Sequence, residues 1–229
     1  MNLKNKKLLL TGASTGIGKA IAYSFLKKGA KVIVFGLHKP RYCSSFFKVD
    51  LRQRAQIISA ISKIGKIDIL INNAGVVFPA KIVETKDEIM EEMLDINFKS
   101  VFWMSKYAVP KINKSGCIIN ISSIRGLRGC RGVGVYSATK AAVINFTETL
   151  AQELADRKIR VNCIAPGFVK TAIWKKEYGV KADKVRKELE KYTLLKRSAA
   201  PEEIAHAAVF LCENEFMEAS TLVIDGGIY

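Results

Sequence analysis

Two histidines and five cysteines are all that 229 residues contain. With only His38 and His206, and no Cys-x-x-Cys spacing, no metal site can be assembled from the sequence. Cys43, Cys117, Cys130, Cys163 and Cys212 are odd in number and scattered, which argues against a disulfide frame and fits reduced thiols in a cytoplasm. No apolar run approaches the roughly 20 residues that cross a bilayer. The start, Met1 to Lys7, leads directly into a strand-like segment without an apolar leader. A cytoplasmic protein with no membrane partner is expected. Acidic residues are also scarce, 21 against 37 basic, for a net charge of +16. The lysines are spread along the whole chain with no compact basic tail, so no nucleic-acid partner is expected.

What is present is ordinary for a globular protein: 49% hydrophobic and 25% charged residues. Short apolar runs at 7–11, 31–35, 46–50, 67–71, 117–121, 159–164 and 222–224 read as strands. Helical periodicity occupies 16–28, 52–63, 86–111, 133–157 and 201–212. The loop between the second and third strands, around Pro40, is too short for a full helix. Continuous apolar strands alternating with helices imply a parallel sheet covered on both faces. The expectation is one doubly wound α/β domain over 1–229, with about seven strands.

Gly12, Ser14, Thr15, Gly16, Ile17 and Gly18 sit between the first strand and the first helix. Glycines there let backbone approach a pyrophosphate, and the helix N-terminus supplies N–H donors. Gly12-Ala-Ser14-Thr-Gly16 also matches the Gly-x-Ser-x-Gly elbow of serine hydrolases. That rival needs His206 as its base, and His206 lies inside a helical pattern. A second signal is Tyr-x-x-x-Lys, which places both side chains on one helix face. The chain has four such pairs, at Tyr23/Lys27, Tyr107/Lys111, Tyr136/Lys140 and Tyr192/Lys196. Only Tyr136/Lys140 follows a serine, Ser123, that leaves a buried strand.

Taken together, these motifs resemble the short-chain dehydrogenase/reductase family over essentially the whole chain. Thr11-Gly-x-x-x-Gly-x-Gly18 is similar to its cofactor loop, and Asp50-Leu51 to the segment placed against the adenine amino group. Asn72-Asn73-Ala74-Gly75 matches the segment that lines the cofactor and braces the sheet. Asn97, Ser123, Tyr136 and Lys140 match the active-site tetrad, and Pro166-Gly167 with Val169 and Thr171 the loop gripping the nicotinamide carboxamide. The resemblance implies a Rossmann-type enzyme that moves a hydride between a nicotinamide cofactor and a carbonyl or secondary alcohol. In it Lys140 favours the tyrosinate form of Tyr136, Ser123 holds the reacting oxygen, and Asn97 holds a water linking Lys140 to solvent.

The residue at the end of the second strand, which holds the adenosine ribose in the family, falls at Gly36. No carboxylate there repels a 2′-phosphate, and His38, Lys39 and Arg41 attract one, which favours NADP. Thr15, at a loop position often basic in phosphate-using members, keeps NAD open. Two substrates are consistent with the pattern: a β-ketoacyl thioester on an acyl carrier, or a sugar or polyol. A non-catalytic cofactor-bound sensor is the remaining alternative, and the intact tetrad argues against it. Arg125, Arg128 and Arg131 lie between Ser123 and Tyr136, either bordering the substrate or facing solvent. Residues 172–197, with Ile173, Trp174 and Tyr178, resemble the family's substrate lid, with Lys175, Lys176, Lys181, Lys184 and Lys187 on a solvated face. The apolar helices 86–111 and 133–157 predict a homodimer or homotetramer. Ala199 and Ala219 replace glycines usual in the family, which puts the local backbone there in doubt.

Overall fold

The computed structural model describes residues 1–172, 174 and 179–228. Its seven parallel strands are β1 (Lys7–Thr11), β2 (Lys31–Gly36), β3 (Ser45–Lys48), β4 (Ile67–Asn72), β5 (Ile112–Ile121), β6 (Arg160–Pro166) and β7 (Thr221–Ile224). They lie in the order β3-β2-β1-β4-β5-β6-β7. The chain therefore winds outward in one direction from β1, then returns and builds the other half from β4. The carboxyl ends of β1 and β4 flank the crevice left at that reversal, where doubly wound folds bind ligands.

Strand alternation distributes the core between the two faces. Leu8, Leu10, Ile69, Ile71 and Ile119 pack with helices α1 (Gly16–Lys27) and α7 (Pro201–Glu213). Leu9, Leu70, Ile118 and Val161 pack on the other face with Ile57 of α2 (Arg54–Ser62), Met104 of α4 (Ser100–Ala108) and Leu150 of α5 (Gly134–Leu154). Each of these side chains is almost fully buried, and each such burial contributes about 1.5–3 kcal/mol. Residues 37–44 contain no helix, as the short connection predicts.

Two elements differ from the sequence expectation. The run 86–111 is not one regular helix: α3 (Asp87–Leu94) passes through a π turn (Asp95–Lys99) into α4 and ends in a 3₁₀ turn (Val109–Lys111). Apolar periodicity continues across the π turn, so the pattern does not reveal it. Strand β5 starts at Ile112 rather than 117, because the polar stretch after Ile112 stays in the ladder through a register shift opposite Ile67–Ile69.

The two glycine-to-alanine departures behave differently. Ala199 forms a parallel bridge with Val169, and its φ is not positive. Ala219 is held at φ +50, in the left-handed region, while its N–H donates to the Val161 carbonyl. A β-carbon in that region costs about 1–2 kcal/mol, partly offset in glycine by its larger unfolded-state entropy. Ala219→Gly is expected to stabilise the protein by about 1 kcal/mol, read as a higher urea midpoint with an unchanged slope.

Candidate active site

The carboxyl ends of β1, β4 and β5 are tied together by side chains. Thr11 Oγ1 accepts from the N–H groups of Asn73 (2.9 Å) and Ala74 (3.1 Å), and Asn73 Nδ2 donates to the Thr11 and Gly12 carbonyls at 3.0 and 2.9 Å. Asn72 Nδ2 donates to Asn120 Oδ1 at 2.8 Å, bracing β4 against β5. Gly18 packs so closely that a β-carbon would overlap the Gly12 carbonyl oxygen. The first turn of α1 carries no acidic residue, and its N-cap residue Thr15 makes no side-chain cap. Its N–H groups therefore retain their capacity to bind an anion.

Asn97, in the π turn, is fully buried. Its Oδ1 accepts from the Val76 N–H at 2.8 Å, and its Nδ2 donates to the Val76 carbonyl (2.9 Å) and to Thr139 Oγ1 (3.2 Å). The side chain thereby locks the backbone beyond β4 to α5, and both amide hydrogens are used in doing so. On α5, Lys140 is 4% exposed and its Nζ donates to the Ile121 carbonyl at 2.8 Å. Ser122 Oγ donates back to the Lys140 carbonyl at 2.7 Å. At Gly126 a β-carbon would stand 2.6 Å from the Lys140 carbonyl carbon, so glycine lets the 3₁₀ turn after Ser123 press against α5. These contacts fix Ser123, whose Oγ accepts from the Arg125 N–H at 3.1 Å, relative to the face of α5 that carries Tyr136. Lys140 Nζ lies 5.8 Å from the Tyr136 ring centroid.

Two connected cavities run along this edge. The first, about 550 Å³, is lined by Gly12, Ser14, Thr15, Gly16, Ile17 and Gly18, by Gly36 and His38, by Asp50 and Leu51, and by Asn73, Ala74, Gly75 and Thr171. The second, about 350 Å³, is lined by Ser123, Tyr136, Lys140, Pro166, Gly167 and Val169. Ile17, Asn73, Gly75 and Thr171 border both. Of the tetrad residues that the resemblance implies, Asn97 alone lines neither cavity. Among the four Tyr/Lys pairs, only Tyr136/Lys140 shares a cavity with Ser123. His206 is exposed on α7 and borders neither cavity, so the base that the hydrolase rival requires does not reach Ser14.

Some expectations are corrected. Lys39 and Arg41 do not line the cleft, and Arg41 instead lies 5.6 Å over the Tyr42 ring. The cation that does line it is Arg52, bound to Asp50 at 2.7 Å, and its place directly after Asp50-Leu51 was a readable clue. That pairing holds the Asp50 carboxyl below its usual range. Arg128 turns away, donating to the Ile228 carbonyl at 3.3 Å, whereas Arg125 and Arg131 line the second cavity. From 172–197, Trp174 and the α6 (Ala182–Glu190) residues Val185 and Leu189 line the same cavity. Lys181, Lys184 and Lys187 are exposed, and Ile173, Lys175, Lys176 and Tyr178 lie outside the described residues.

A glycine-lined cleft at the switch point of a doubly wound sheet, ending at a serine, a tyrosine and a buried lysine, defines a Rossmann-type oxidoreductase. Comparison with known proteins narrows the class. A family model described as enoyl-(acyl carrier protein) reductase matches residues 12–229. The 3-oxoacyl-(acyl-carrier-protein) reductase FabG of Thermotoga maritima is 36% identical, covering 100% of this chain and 99% of that protein. The reductase of the same name from Rickettsia conorii is also 36% identical, covering 100% and 98%. Among solved structures, the ligand-free aldohexose dehydrogenase of Thermoplasma acidophilum superposes with a TM-score of 0.92 at 30% identity, covering 98% of this chain and 94% of that one. A short-chain dehydrogenase/reductase variant from Serratia marcescens gives 0.90 at 29% identity, with 99% of both chains covered. The chain belongs to the short-chain dehydrogenase/reductase family, and it is an oxidoreductase that uses a nicotinamide cofactor.

Burial pushes the Lys140 ammonium down from 10.5 to about 8, and Cys163 beside it, pushed up to about 11 by its own burial, stays a neutral thiol. Between about 8 and 10.5 the unfolded chain binds one more proton than the folded chain, so stability rises with pH across that window. Below it the full cost of the buried cation is carried. Lys140→Met is therefore expected to raise the melting temperature of the ligand-free protein at pH 7, by up to about 3 kcal/mol in stability less the lost bond to Ile121. The gain should shrink as pH rises from 8 to 10.5. A lower melting temperature at pH 7 would show that the bond to Ile121 outweighs desolvation.

Proposed function

We propose that this protein is a cytoplasmic NADPH-dependent reductase of 3-oxoacyl thioesters, acting on a carrier-bound substrate. The observation that carries the reading is the chemistry of the cavity around Ser123 and Tyr136. Its outer walls are Val77, Ile124, Val133, Phe168, Trp174, Val185 and Leu189, and no carboxylate lines it among the described residues. An acyl chain suits those walls, whereas a sugar needs hydrogen-bond acceptors for its hydroxyls. The relatives named as 3-oxoacyl-carrier reductases support the same reading. Aldose oxidation is the second reading, favoured by the likeness to the aldohexose dehydrogenase.

The cofactor is assigned to the continuous cleft. The uncapped N-terminus of α1 and the glycine loop receive the pyrophosphate, Asp50 and Leu51 border the adenine, and Pro166, Gly167, Val169 and Thr171 hold the carboxamide end. Gly36 leaves room for a 2′-phosphate and His38 offers it a ring N–H, which is the basis for NADPH over NADH. When bound, the nicotinamide supplies the hydride. Tyr136 gives a proton to the carbonyl oxygen, while the Ser123 hydroxyl donates a hydrogen bond to the same oxygen. Lys140 lowers the cost of the tyrosinate left behind. A water beside Gly75, where Lys140 Nζ and Asn97 Oδ1 border one space, returns the proton from solvent. From the segment 172–197, Trp174 and the α6 residues Val185 and Leu189 act as a lid over the substrate.

The test is turnover of acetoacetyl thioesters and of an aldose and polyol panel with each nicotinamide. Thioester reduction is expected, with NADPH at least tenfold more efficient than NADH, and Tyr136→Phe should bind NADPH yet lose turnover. Activity confined to sugars, or a clear NADH preference, overturns the corresponding part.

We also propose a homodimer or homotetramer. Phe98 of the π turn, Phe102 of α4 and Phe146 of α5 form an aromatic cluster, with Phe102 36% exposed. Analytical ultracentrifugation should show an oligomer that Phe102→Asp dissociates; a monomeric wild type would refute it.

A further inference from the structure

Two charged residues of the cavity, Arg125 and Arg131, remain unexplained by reduction of a neutral acyl chain. Arg125, Arg131 and Lys140 line it, and no aspartate or glutamate does among the described residues. Arg125 is half-buried, with its guanidinium 5.7 Å over the Phe168 ring. Its backbone N–H is taken by Ser123, but no hydrogen bond or ion pair to its guanidinium is found among the described residues. Arg52, Arg160 and Arg197 have acceptors on Asp50, on the Leu211 and Cys212 carbonyls and on Glu203; Arg41 and Arg54 lie over Tyr42 and Trp103 as Arg125 lies over Phe168, but of these three only Arg125 lines the cavity beside Ser123. A planar fork of five donors, steadied by an aromatic face and partly withdrawn from water, fits a carboxylate.

We infer that Arg125 is a specificity-determining residue, which recognises a carboxylate carried by the substrate near its reacting carbonyl. Arg131, exposed on the cavity wall, adds to the attraction. This deepens the proposed carbonyl reduction and rests on it. Arg125 is two residues from Ser123 in a cavity of about 350 Å³, so the anion belongs to the acyl group. A phosphate at the far end of a carrier arm or of coenzyme A would lie outside.

Three probes separate the sources: the N-acetylcysteamine thioesters of acetoacetate (neutral) and of 3-oxoadipate (terminal carboxylate), and acetoacetyl coenzyme A (distant phosphates). Wild type should turn over the carboxylate probe with at least tenfold higher kcat/KM than the neutral one. Arg125→Gln should erase that ratio, mainly through KM, and Arg125→Lys should restore part of it. Acetoacetyl coenzyme A should respond to Arg125→Gln as the neutral probe does. Equal efficiencies in wild type, a ratio that survives Arg125→Gln, or a loss confined to coenzyme A would overturn the inference. Calorimetric titration of the same probes into NADPH-loaded protein reads the preference without turnover. Absence of turnover alone would therefore count against the reductase reading and leave the carboxylate preference to be judged by binding.

Discussion

A lysine cation held out of water is the constraint around which this site is built. Among the described residues Lys140 has one hydrogen-bond partner, the Ile121 carbonyl, and its thiol neighbour Cys163 stays neutral. No ion pair offsets its burial among the described residues. Such a group survives only if its surroundings cannot relax around it. Ser122 binds its carbonyl, Gly126 presses on its backbone, and Thr139, one residue earlier, is held by Asn97. The same contacts place Ser123 and Tyr136 on one cavity, so the cost of the cation and the geometry of the site have one origin.

The polar groups beneath the cleft follow the same economy. Asn72, Asn73, Asn97 and Asn120 lie at strand ends or in a helix turn, where backbone groups lose their regular partners. The amides of Asn73 and Asn97 bond to backbone carbonyls there, and those of Asn72 and Asn120 tie β4 to β5 and β5 to Thr147 of α5. Asn97 shows the coupling well. Its bonds to Val76 accompany a π turn, and that turn is why the expected single helix is two. The side chain that ties the backbone beyond β4 to α5 thus sits in the one irregular turn between α3 and α4.

Much of the fold was readable because parallel strands buried on both faces leave continuous apolar runs, and covering helices leave a 3.6 period. The cleft residues were readable because glycine, asparagine and proline stand where backbone geometry permits few alternatives. Other features left no such trace. The start of β5 is polar, and the π turn preserves the apolar pattern. The left-handed Ala219 was visible only as a doubt about a missing glycine. Which basic residues face the cleft could not be read from spacing, since Arg41 folds onto Tyr42 whereas Arg52 reaches the cleft on Asp50.

By itself the sequence determined the doubly wound class, the glycine loop at the first strand, and the choice of Tyr136/Lys140 among four equal spacings, because each depends on local pattern and order. Tertiary structure decided what depends on distance between remote segments. It buried Lys140 with no counter-ion among the described residues, joined two cavities into one cleft, and turned Arg128 outward while leaving Arg125 over Phe168. Direction and desolvation of a side chain are set by everything packed around it, and no spacing along the chain encodes them.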